Sequence, residues 1–300
     1  MIISASRRTD IPAFYSEWFF NRIRERFCAV QNPFNPAQVS RISLSPEDVD
    51  AMVFWSKNPA PMLPRLEELD KAGYCYYFQF TLNCYPPELE PGLPPLAERV
   101  ETFLHLSEAL GKRRVVWRYD PIIISNHTSY GWHREKFAEL CERLSGKTAR
   151  LMVSPVEYYK KTARNLAPLE KAGYLFDRQA AERPELNSLL ADMAAKAQEH
   201  GMEIFSCAQE RDYSDIGIQP GSCVDGKLIN SLWGLDLPVK KDHGQREFCL
   251  CTVSRDIGVS DTCLYGCLYC YATRNSQAAI GRHKRHNPNS AMLYEVEPGK

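Results

Sequence analysis

Apolar residues in this chain gather in short unbroken runs, separated by longer stretches where they recur every three or four positions. The runs are "IISAS" (2–6), "AMVFW" (51–55), "CYYFQFTL" (75–82), "RVVWRY" (114–119), "RLMVS" (150–154) and "MEIFSC" (202–207). Few of them alternate with polar residues. They read as strands buried on both faces, as in a parallel sheet. Helical spacing fills the intervals. "FYSEWFFNRIRERF" (14–27) sets Trp18, Ile23 and Phe27 on one side, and residues 94–112 repeat Leu96, Val100, Phe103, Leu104 and Leu110. Residues 132–146 and 185–201 do the same, and each ends in Gly, a common helix stop.

Strand then helix, about six times over, predicts βα units with right-handed crossovers. A doubly wound sheet satisfies this pattern. The expectation is an α/β chain with a partial or closed βα barrel over residues 1–210. Residues 30–50 interrupt the first unit. Pro33 and Pro36 suggest turns, and "SPED" (45–48) has the form of a helix start, with Ser45 as cap. An inserted hairpin followed by a short helix is expected. From residue 211 to 300 the text is punctuated by Gly, Cys and Pro and loses any period. It predicts a loop-rich, cysteine-rich segment packed on the barrel mouth and folded around metal.

Charge changes little in this picture. Lys plus Arg number 37 and Asp plus Glu 37, so the net charge is zero, which argues against a chain-wide nucleic-acid footprint and leaves room only for a local basic patch. Arg7 and Arg8 near the start are not followed by an apolar segment, and no run is long enough to span a bilayer. The expectation is a cytoplasmic protein without membrane partners, whose thiols stay reduced. That matters because there are 11 cysteines. Cys28, Cys75, Cys84 and Cys141 are scattered and read as core filling. The other seven lie after residue 200, where metal ligation or catalysis is the better reading of an odd count.

Three of these stand in "DTCLYGCLYCYAT" (261–273) as Cys263-x3-Cys267-x2-Cys270. Three thiolates converging on a cubane cluster leave one iron without a protein ligand. The spacing, with aromatic Tyr269 before the last cysteine, resembles the signature of the radical S-adenosylmethionine superfamily. The resemblance implies a [4Fe-4S] cluster on Cys263, Cys267 and Cys270. Its open iron would bind S-adenosylmethionine, which is cleaved to a 5′-deoxyadenosyl radical. It also implies Tyr269 beside the adenine, an electron donor such as flavodoxin or ferredoxin, and a partial βα barrel. Superfamily members usually carry the motif after the first strand; here it follows the last. Nearly the whole chain is similar to an uncharacterised bacterial family with such a cluster at its C-terminal end, and that resemblance names no substrate.

Other readings compete. The three thiols with Cys251 or a His could close a tetrahedral zinc site. Cys207, Cys223, Cys249 and Cys251 supply a second set of four, suited to a second iron–sulfur cluster or to zinc, unless one or two merely pack. Polar residues cluster where strands end, the place for chemistry in βα folds. These are Arg7, Arg8 and Asp10 after strand one, Lys57 after strand two, Arg118 and Asp120 on strand four, and Glu210 after strand six. Arg7, Lys57, Arg118, Asp120 and Glu210 are catalytic candidates. Arg8 and Asp10 are candidates for binding the cofactor, the cations converging on a carboxylate. Arg7 with Asp10, and Arg118 with Asp120, read equally as structural ion pairs or caps. The basic run "RHKRH" (282–286) reads as a solvated tail. Three functions follow: a radical enzyme acting on a small molecule or peptide, a non-catalytic zinc-stapled binding module, or a barrel hydrolase or lyase with a structural metal.

Overall fold

All six apolar runs fold as strands in the structure, a computed structural model that describes residues 1–32 and 35–295. They are β1 (Ile2–Ala5), β4 (Ala51–Ser56), β5 (Tyr76–Thr81), β6 (Val115–Ile122), β7 (Arg150–Pro155) and β8 (Glu203–Cys207). Before β4 come β2 (Phe27–Asn32) and β3 (Asn35–Ser43), the expected inserted hairpin, paired antiparallel from Phe27 opposite Ser43. Two short strands follow β8: β9 (Gln219–Gly221) and β10 (Arg255–Asp256). The order in the main sheet is β10-β1-β4-β5-β6-β7-β8-β9. Pairing is parallel from β10 to β1 to β4 and from β5 through to β9.

The sheet is open, which corrects the expected partial or closed barrel. A βα repeat sets the direction of strands, but closure also needs matched tilt and stagger at both edges. Neither edge is built for it. β10 has two residues and β9 three, and Pro220 within β9 lacks an N–H to donate onward, a residue suited to edges.

The chain divides into two compact units, with the boundary falling inside β5. The first comprises Met1–Tyr77, Ser254–Gly266 and Ala272–Lys300. Its helices are α1 (Ile11–Phe14), α2 (Ser16–Glu25), α3 (Leu66–Lys71) and α9 (Ser276–Lys284). Trp18, Phe19 and Phe20 of α2 are wholly buried, and Phe19 meets Phe54 of β4 edge to face at 5.2 Å. The "SPED" stretch is a turn, closed by Asp48 N–H on the Ser45 carbonyl at 3.0 Å. No second helical turn fits, because β4 begins at Ala51. Pro33 lies outside the described residues, and Pro36 falls within β3.

The second unit comprises Phe78–Val253 and Cys267–Tyr271. It holds α4 (Leu96–Leu110), α5 (Tyr130–Arg143), α6 (Lys160–Lys171), α7 (Pro184–Glu199) and α8 (Gly226–Trp233). Phe80 packs on Phe103 and Trp117 on Phe137. Residues 211–300 are thus shared by both units and contain two helices that the punctuated text hides. α8 starts on Asp225, which accepts from Leu228 N–H at 3.0 Å, and ends at left-handed Gly234. α9 is capped by Asn275 and takes in Arg282, His283 and Lys284. The expected solvated tail is therefore ordered: Arg282 donates to the Ser260 carbonyl at 2.8 Å, and His286 Nδ1 to that of Leu293 at 2.8 Å.

Gly258, just after β10, leaves no room for a side chain. A Cβ there would lie 2.0 Å from Ser6 Oγ and 2.5 Å from Ser6 Cβ. Gly258→Ala should therefore lower the urea midpoint, at a cost of about 1–3 kcal/mol for overpacking. Gly281→Ala, in open space on α9, should leave the midpoint unchanged or raise it slightly. Equal midpoints for the two variants would contradict the close approach.

Candidate metal centre

One carboxylate organises the end of β1. Asp256 on β10 accepts from Ser4 Oγ (2.8 Å), Ser6 Oγ (2.7 Å), Arg7 N–H (2.9 Å) and Gly258 N–H (2.9 Å). Arg8 N–H in turn reaches Ser6 Oγ at 2.9 Å. The backbone of "SRR" is thereby fixed, with the Arg7 guanidinium 5.3 Å from the Trp55 ring centre. Asp10 caps α1 through Ala13 N–H at 3.0 Å. Its other oxygen accepts from Ser56 Oγ (3.0 Å) and Lys57 N–H (2.8 Å). Burial pushes its carboxyl up to about 7 against these three donors. Asp10 and Lys57 thus meet, through the Lys57 backbone.

The C-x3-C-x2-C loop is divided between the units. In the first, Asp261 stands at a left-handed backbone position before Cys263, and its N–H donates to the Ala272 carbonyl at 3.1 Å. Its carboxylate receives Arg274 Nε at 2.9 Å and the Arg274 N–H. This clamp joins residues on both sides of the loop. Tyr15 Oη donates to the Thr262 carbonyl at 2.7 Å, and Tyr265 packs on Phe14. In the second unit, Cys270 N–H donates to the Cys267 carbonyl at 3.1 Å, a tight turn between two thiols. Leu268 N–H is held by the Leu89 carbonyl at 3.0 Å. Tyr269 is buried; its hydroxyl donates to Glu90 and its ring lies 5.8 Å from that of Tyr85. Burial, with the Glu90 charge beside it, holds that hydroxyl protonated. Cys267 is buried, Cys263 and Cys270 are half-buried, and none of the 11 cysteines is in a disulfide.

The other four late cysteines meet within the second unit. Cys207 ends β8 and Cys223 follows β9, with their sulfurs 3.2 Å apart. Cys223 also contacts Cys251, and Cys251 contacts Cys249. Arg118 on β6 donates to Cys223 Sγ at 2.7 Å, to Gln79 Oε1 at 3.3 Å and to the Asp120 carboxylate. Burial opposes its charge; Asp120 and the two sulfurs outweigh that opposition. Ser154 Oγ also donates to Asp120. The hydrogen bond between Cys207 and Cys223 lowers the pair's first ionisation, aided by Arg118, and raises the second.

Sequence reasoning anticipated Arg118 with Asp120 and left the four-thiol set open. It missed Glu90, Asp256 and Asp261. Asp256 sits in a two-residue strand that no period reveals, and Glu90 lies in a Pro-rich loop. Glu210 is exposed after β8, while Glu157 pairs with Arg246. Among the described residues, no group of three or more His, Cys, Asp or Glu is arranged to hold a metal ion. No helix among them is long and apolar enough to cross a membrane.

The sequence matches the profile of a domain of unknown function, DUF1848, over residues 2–272. The chain belongs to this family. The matched stretch runs from β1 through Ala272 and contains all 11 thiols. No curated protein and no solved structure matches the chain.

Two predictions come from the buried polar groups. Asp10 ionises near 3.8 when unfolded and near about 7 when folded. The folded state keeps the extra proton in that window, so stability falls as pH rises through it. The slope is at most about 1.4 kcal/mol per pH unit. In urea titrations, Asp10→Asn should flatten this slope; an unchanged slope assigns it to another group. Arg118→Met removes the charged donor shared by Asp120 and Cys223 and should cost about 3–5 kcal/mol. Adding Asp120→Asn should restore part of that loss, whereas additive losses would deny the pairing.

Proposed function

We propose that this protein is a radical S-adenosylmethionine enzyme acting on a small molecule or peptide. The observation that carries the proposal is Cys263-x3-Cys267-x2-Cys270 with Tyr269 before the last thiol. The donor chemistry fits a cluster: three thiols, none in a disulfide, on a short loop. Bound there, a [4Fe-4S] cluster supplies one-electron cleavage of the sulfonium. The chain's own residues hold and orient. The Asp261–Arg274 clamp fixes the approach to Cys263 in the first unit. The Cys267–Cys270 turn, and the grip of Glu90 on Tyr269, set the other two thiols in the second. Left-handed Gly266 lets the chain turn between Cys263 and Cys267 without a side chain in the way. A reducing, cytoplasmic setting and a protein electron donor belong to the same proposal, since the thiols must remain unoxidised to take up iron.

Anaerobic reconstitution with iron and sulfide tests this reading. The expected product is brown, carries about four irons at these three thiols, and releases 5′-deoxyadenosine from S-adenosylmethionine on reduction. A triple Cys263→Ser, Cys267→Ser, Cys270→Ser variant should lose both the iron and the release. Iron uptake undiminished in that variant, or no uptake by the native chain, removes the proposal.

A further inference from the structure

We infer that Cys207, Cys223, Cys249 and Cys251 bind one zinc ion as a tetrathiolate centre, built without any residue of the C-x3-C-x2-C loop. The four come from three separate segments of the second unit: the end of β8, the turn after β9, and the stretch following Arg246. All are buried, at 8%, 6%, 8% and 2% exposure. Four is the number that closes a structural zinc site.

Two features separate this set from core filling. A thiol that merely packs needs no donor, yet Cys223 Sγ receives a buried guanidinium at 2.7 Å. Cys251 Sγ receives the Val224 N–H at 3.4 Å. Donors aimed at sulfur are what surround metal-bound thiolates, where they offset the excess negative charge. Zinc with four thiolates carries a net charge of minus two, and Arg118 is the cation placed against it.

The spacing of Cys207 and Cys223 favours zinc over a cubane. Sulfurs at the corners of a zinc tetrahedron, with Zn–S near 2.3 Å, lie ~3.8 Å apart. Cys207 and Cys223 stand at 3.2 Å. In a cubane each thiolate holds a different iron, so the sulfurs lie much farther apart. The thiols touch in the order Cys207, Cys223, Cys251, Cys249 rather than around a shared point. These thiols do not yet stand around one point; Cys207 and Cys223 must part by about half an ångström, and Cys249 and Cys251 must turn toward them by side-chain rotation, to give a zinc shell. Binding releases the thiol protons.

The backbone is already arranged to profit. Residues 235–253 have no helix and no named strand. They are fastened where the thiols lie: Thr252 N–H donates to the Val224 carbonyl at 2.9 Å, and Asp242 N–H to that of Cys251 at 2.8 Å. Gly226 N–H, opening α8, reaches Thr252 Oγ1 at 3.1 Å. A zinc at this point joins a segment without regular structure to the ends of two strands.

The test uses the full chain carrying Cys263→Ser, Cys267→Ser and Cys270→Ser, so that its result is independent of the radical-enzyme proposal. Purified under reducing conditions, this protein should hold about one zinc per chain. Exchange for cobalt should give the intense visible bands of a tetrahedral thiolate site. Chelation should expose four further thiols to a thiol reagent and lower the melting temperature. Adding Cys249→Ser and Cys251→Ser should weaken zinc by more than about 100-fold, beyond the effect of an outer partner. Zinc absent from the triple variant, or retained at full affinity in the five-site variant, overturns the inference. So does a Cys207–Cys223 disulfide in place of metal, or iron at these four thiols.

Discussion

The Asp256 carboxylate is the point on which the first unit turns. Two segments some 250 residues apart in sequence meet there, and four donors converge on two oxygens. Two are hydroxyls, Ser4 in β1 and Ser6 just after it, and two are backbone amides. The carboxylate therefore fixes side chains and main chain together. Each bond to a charged acceptor is worth more than a neutral one. Gly258 is forced to be glycine by the same approach, because Ser6 occupies the space a side chain would need. A strand of only two residues, too short to hold its place by ladder bonds alone, is held by this side chain instead.

The second unit spends its buried polarity differently. Arg118 is 6% exposed and could not stay charged without partners. Asp120 supplies the counter-charge, Gln79 an amide oxygen, and Cys223 a sulfur. Gln79 closes the circuit by donating to the Cys223 carbonyl at 2.9 Å. Through these partners Arg118 holds the turn that bears Cys223 and faces its sulfur.

The strands were readable because a parallel strand buried on both faces must be apolar throughout, and no other short element asks for that. The long helices were readable for a related reason: Leu96, Val100, Phe103 and their like mark one stripe. Closure was not readable, since it depends on what happens at the edges. There β9 and β10 are too short to leave a pattern. α8 and α9 were hidden for want of length, although Asp225 with Gly234, and Asn275, are ordinary caps. The convergence of Cys207, Cys223, Cys249 and Cys251 was legible only as a count. Contacts between residues 16 and 28 positions apart depend on the fold, and local pattern carries no term for them.

The late position of the C-x3-C-x2-C loop has an answer in the sheet. The superfamily it resembles carries its motif after the first strand. Here the motif follows β10, the last strand. But β10 lies directly beside β1 and parallel to it, with Ile3 opposite Arg255 and Ser4 opposite Asp256. Parallel neighbours end on the same side of a sheet. The chain leaving β10 through Gly258 toward Cys263 therefore departs from the same edge as the chain leaving β1 through Arg7 and Arg8. In space, the motif follows a strand next to the first, and only in chain order does it come last. The late position therefore does not count against the proposed chemistry. Ligands in open α/β sheets gather at the carboxyl ends of strands, and that is the end from which this loop sets out.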